Sequence, residues 1–190
     1  MKALAIAVVA LALSGCGEAA RSATRAPEST TQSAHGLTVE LPAGWQGADG
    51  KLTRLEDPRE VLAVGTYPMR YREAGCAQMP SSALEDLGPG DALVTLLERG
   101  ADSHSTWPDF PQRPTHFEPT PGDPNSDAPA CAPSGRFISH WFNFSDSGRH
   151  FHVLVAFGPQ ASAATQEQAW SILDGLRVDP EPKPDWESAG

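Results

Sequence analysis

The residues in this chain that could do chemistry are a pair of histidines, a short acidic run and a few cysteines. His150 and His152 are two apart. On an extended chain this spacing puts both imidazoles on one face, beside Trp141 and Asn143, with His140 on the opposite face. Two imidazoles fall short of a zinc site. They read as solvated surface residues, and no metal is expected. Asp123, Asn125 and Asp127 mimic the first alternate ligands of a calcium loop. Ala128 stands where that loop needs glycine and Ser134 where it needs a bidentate glutamate, so an EF-hand is rejected. No nucleophile elbow, phosphate-binding glycine loop, dinucleotide glycine pattern or His-Glu-x-x-His is present. No catalytic residue and no cofactor is expected. An enzyme would need a site assembled from distant residues.

The strongest structural signal is the stretch Phe137 to Phe157. FISHWFNF and RHFHVLVAF are rich in aromatic and β-branched residues, and SDSG between them favours a turn. A two-residue loop at Ser147-Gly148 pairs Phe144 with Phe151, and a four-residue loop pairs Phe142 with Phe151. Both registers put Ile138, Phe142, Phe144, Phe151, Val153, Val155 and Phe157 on one apolar face. A helix with Thr165 and Gln168 as capping box should follow. Ala169, Ile172, Leu173 and Leu176 form its stripe, with Trp170 at the edge and Gly175 as stop. That stripe is the natural cover for the hairpin.

Upstream, Leu37–Leu41 alternates as a strand before the Pro42-Ala43-Gly44 turn. Residues 51–56 read as a second short strand and Val61–Tyr67 as a third. Ser81–Leu87 reads as a short helix with a serine cap. Ala92–Leu97 reads as a buried strand. Residues 101–134 are Pro-rich with little pattern. Asp179–Gly190 reads as an extended Pro-rich tail. The net charge of −10 and the lack of a dense basic run count against nucleic acid.

Residues 1–15 read as a targeting segment. Lys2 precedes an apolar run, Ala3–Leu13, too short to span a bilayer as a helix. Leu13-Ser14-Gly15-Cys16 resembles the lipobox of bacterial lipoproteins. The resemblance implies diacylglyceryl transfer to the Cys16 sulfur, cleavage after Gly15, acylation (palmitate) of the new N-terminus, and a lipid-anchored protein on the extracytoplasmic face of the cell membrane. Residues 16–34 then form a flexible tether. With Cys16 lipidated, Cys76 and Cys131 remain, and an exported chain favours a disulfide between them. It would enclose 54 residues and contribute about 4 kcal/mol by loop closure.

LTVELPAGWQ (37–46), FSDSGRHFHVLVAFG (144–158) and AWSILDGLRV (169–178) together resemble PsbP-like α+β domains, a fold found in small actinobacterial envelope lipoproteins. The resemblance implies a single domain over 35–178. Its antiparallel sheet would pack against a C-terminal helix and one or two short helices. It implies a binding or accessory role for an envelope protein or a small ligand more often than catalysis. The rival expectation is an envelope hydrolase with a dispersed site. Trp107, Phe110 and Trp186 lie in the long loop and the tail, where exposed aromatics would suit a partner contact; folding back onto the domain is the other reading.

Overall fold

The computed structural model describes residues 28–73, 76, 79–100, 110–119 and 136–180. Cys16, Trp107, Cys131 and Trp186 lie outside the described residues, as do the expected leader, most of the tether and residues 181–190 of the tail. In chain order the elements are β1 (Thr30–Ala34), β2 (Leu37–Leu41), β3 (Gln46–Gly47), β4 (Arg59–Gly65), α1 (Ser81–Asp86), β5 (Ala92–Arg99), β6 (Ile138–Asp146), β7 (Arg149–Phe157), α2 (Ala163–Asp174) and β8 (Arg177–Val178). They make one α+β domain with two antiparallel sheets, ordered β1-β2-β8 and β3-β4-β5-β7-β6.

Two tight turns fix the registers. Ser147 and Gly148 both take positive φ, 54° and 78°, and close β6 on β7 with Phe144 opposite Phe151 and Phe142 opposite Val153. Positive φ at both loop residues matches the right-handed twist of the strands it joins. The two-residue alternative is therefore the one realised. His35 and Gly36, at φ 53° and 70°, do the same for β1 and β2. Thr30–Ala34, expected as the end of the tether, is thus a strand. Its polar residues carry no core signal, because it is the exposed edge beside the buried Leu37, Val39 and Leu41.

β5 is central in the larger sheet and buried along its whole length. That is why Ala92–Leu97 is apolar but for Thr95 rather than alternating, while the buried Glu98 and Arg99 at its end need partners. One face carries Val94, Leu96, Phe144, Phe151, Val153, Val155 and Phe157 in a cluster with Ala169, Trp170, Ile172 and Leu173 of α2 and with Leu37, Val39 and Leu41. Trp170 meets Phe157 edge-on at 6.1 Å and Phe142 at 6.2 Å. Ile138, at the start of edge strand β6, is 40% exposed. The other face packs Leu93, Leu154 and Ala156 against Leu52, Tyr67, Met79 and Leu84.

Local expectations differ at three points. The cap of α2 is Ser162, whose hydroxyl accepts from the Thr165 amide at 3.1 Å, so the helix starts two residues before Thr165. Gln168 instead accepts from the Trp45 indole at 3.0 Å. Pro80, not a serine, precedes α1, and the Ser81 hydroxyl donates to the Cys76 carbonyl at 2.7 Å. Residues 51–56 form no strand; the Leu52 amide bonds the Glu60 carboxylate at 2.8 Å rather than a ladder partner.

Candidate functional site

Two buried glutamates on neighbouring strands organise the polar interior. Glu98 on β5 is 2% exposed. The Arg149 Nε donates to one of its oxygens at 2.5 Å, and Arg59 donates to the other through Nη2 at 2.7 Å and Nε at 3.1 Å. Burial favours the neutral acid, but two guanidiniums outweigh it and hold the carboxyl below its usual range. The Arg149 guanidinium also reaches the carbonyls of His35, Gly36 and Asp179 at 2.9, 3.4 and 3.3 Å. This residue therefore ties the β1–β2 turn and the end of β8 to the larger sheet.

Glu60 on β4 is 4% exposed. A bulge between Glu60 and Leu62 sets Glu60 opposite Leu97 while Leu62 faces Leu96. Such an irregularity re-aims a side chain. Burial pushes this carboxyl up, against the opposing pull of the Leu52 and Thr53 amides, the Thr53 hydroxyl and the Lys51 charge. Glu60 lines a cavity of about 200 Å³ with Gln32, His35 and Lys51.

Lys51 also lines a larger open cleft of about 570 Å³, with Thr53, Arg54, Leu55, Glu56, Arg59 and Tyr71. The Arg54 guanidinium lies 4.6 Å from the centre of the Tyr71 ring. The Arg59 side chain is 48% exposed despite its bond to Glu98. Three basic side chains and one acidic one thus face a single cleft in a chain of net charge −10. Lys51 and Arg54 have no ion-pair partner among the described residues. A depression of similar size, about 580 Å³, lies between Pro42 and the C-terminal end of α2. Its charged residues, Glu40 and Arg177, balance, and it gathers no excess charge.

The histidine pair shares one face of β7 with Leu154 and Ala156, as the alternation required. Neither residue is a solvated surface histidine. Phe110 stacks on His150 at 4.7 Å and meets His152 edge-on at 5.0 Å. The His152 Nδ1 is 2.7 Å from the Asn143 Oδ1. Burial, with Arg99 nearby, lowers its pKa to about 4, so it is neutral at pH 7. His140, on the opposite face as expected, is buried against Trp170 and Phe157. No group of three or more potential metal ligands occurs among the described residues.

The described part of the Pro-rich segment is a strap. Gln112 bridges Ser145, and Arg113 donates to the carbonyls of Leu173, Asp174 and Leu176 at 2.7, 2.9 and 2.6 Å. These carbonyls belong to the last residues of α2 and the turn after it, where the regular helical hydrogen-bond pattern ends. Phe117 is buried between Phe142 and Phe144. Cys76 is 5% exposed and disulfide-bonded, with its partner outside the described residues. No helix among the described residues is long and apolar enough to cross a membrane. No protein-family model matches the chain, and no curated protein matches it at a significant level.

Proposed function

We propose that this protein is a lipid-anchored, extracytoplasmic binding module of the cell envelope, with a PsbP-like domain, whose ligand enters the cleft lined by Lys51, Arg54, Arg59 and Tyr71. The observation that carries this reading is the cleft itself. Its volume of about 570 Å³ falls within the roughly 300–1,000 Å³ of small-molecule sites. Its polar groups converge from one irregular segment and one strand end, and an aromatic ring stands beside them. The anchor rests on the sequence alone: Lys2, the apolar run Ala3–Leu13 and the LSGC motif ending at Cys16. Cys131 is the proposed disulfide partner of Cys76, which would tie the Pro-rich segment to the residues before α1.

Two measurements test the reading separately. Cys16→Ala should move the chain from the membrane to the soluble fraction; retention on the membrane would remove the anchor. Native mass spectrometry of the full chain, purified from its own envelope, should show an added mass that disappears when Leu55→Trp fills the cleft. An added mass that survives Leu55→Trp, or none in the parent chain, would remove the cleft from the proposal. Circular dichroism of the variant guards against misfolding as the cause.

A further inference from the structure

We infer that the cleft recognises a phosphoryl group, carried by a small phosphate ester or by a phospholipid headgroup. The inference rests on the cleft being the binding site and adds the chemistry of what it holds. Its first ground is charge. Glu98 is one carboxylate shared between two guanidiniums, Arg149 and Arg59. Arg149 is buried and also held by backbone carbonyls. The excess positive charge therefore falls on Arg59, whose side chain is 48% exposed in the cleft. Lys51 and Arg54 add two more, and Glu56 removes one. Asp57, the next acid along, pairs with Arg99 at 3.6 Å. One positive charge is left over with Glu60, which shares a cavity with Lys51, counted as ionised, and two with it counted as neutral. That suits a phosphoryl group, which carries one negative charge as a diester and up to two as a monoester, on oxygens that two arginines can grip.

The second ground is geometry. Arg54 lies over the Tyr71 ring. A guanidinium held against a ring still has N–H donors for a ligand, and the bidentate mode of arginine suits phosphate oxygens. Lys51 supplies a mobile point charge from the rim. The remaining space accommodates an organic group beyond the phosphate.

Arginine modification by phenylglyoxal, read by peptide mass spectrometry on the full chain, tests this directly. Arg72 and Arg177 are exposed outside the cleft and serve as internal controls. Inorganic phosphate should slow modification of Arg54 and Arg59 several-fold and saturably, with the controls unchanged. In Lys51→Ala the phosphate concentration for half-protection should rise on the order of tenfold, as expected for one lost charge in a partly shielded site. Lys51→Arg should restore it. Protection by phosphatidylglycerol vesicles, but not by free phosphate or phosphatidylcholine vesicles, would assign the phosphoryl group to a lipid headgroup. Equal protection at the controls, or none from phosphate or vesicles, would overturn the inference. An added mass of neutral composition in the native spectrum, lost in Leu55→Trp, would leave the binding module standing and remove only the phosphoryl group.

Discussion

Glu98 and Glu60 face the same cost and meet it differently. They stand on adjacent strands and are almost equally buried, 2% and 4% exposed. Glu98 is gripped by two guanidiniums and keeps its charge. Glu60 has amides and a more distant lysine, and burial wins. A buried charge with a full set of partners becomes architecture, here joining both sheets through Arg149. The buried acid with partial support lines the small cavity, and Lys51 lines both that cavity and the cleft.

The sharpest way to break this contrast is Arg149→Ala. It leaves Glu98 buried with one guanidinium and strips the donor from the His35 and Gly36 carbonyls. Removing one partner of a buried pair costs about 3–5 kcal/mol. Urea unfolding should show a loss of that size, and Arg149→Lys should recover little of it, because an ammonium cannot span a carboxylate and the turn together. A loss below about 1 kcal/mol would mean that Glu98 is not an organising charge.

Acid titration separates the two carboxyls by sign. Glu98 titrates below its ordinary value of 4.5 when folded. Its stabilisation is present above that value and is lost as the pH falls through the folded range. Glu60 titrates above 4.5 when folded. The folded state then holds a proton that the unfolded state gives up, so stability falls as the pH rises above 4.5. Glu98→Gln should flatten the acid side of the stability profile, and Glu60→Gln should flatten the decline above it. Parallel changes in both variants would erase the distinction.

The sequence made the architecture side of this contrast far more legible than the cleft. The hairpin could be read because alternation puts the same side chains on one face in either of the two registers the turn allows, and the structure takes the one with Phe144 opposite Phe151. The α2 stripe was legible because Ala169, Ile172 and Leu173 repeat at helical spacing. β1 escaped because an exposed edge strand needs no apolar face; the His35-Gly36 pair before an alternating run was the available signal. The strap at Arg113 escaped because bonds to helix-end carbonyls leave no periodicity. For the cleft, strand alternation over 51–56 would put Thr53 and Arg54 on opposite faces, whereas the irregular backbone brings both to one wall. The bulge that aims Glu60 has no residue signature at all.

The smallest predicted effect is the most discriminating for function. Arg54 is exposed, carries no ion pair among the described residues, and rests only on the Tyr71 ring. An exposed cation–π contact contributes about 0.5–1 kcal/mol, and surface substitutions usually stay within about 0.5 kcal/mol. Arg54→Ala should therefore unfold within about 1 kcal/mol of the parent while losing its share of ligand retention in native mass spectrometry. Stability and binding would then part company at this residue, as a cleft that holds a ligand rather than the fold requires. A loss above about 2 kcal/mol would place Arg54 with Arg149 as architecture, and the basic character of the cleft would then need no ligand to explain it.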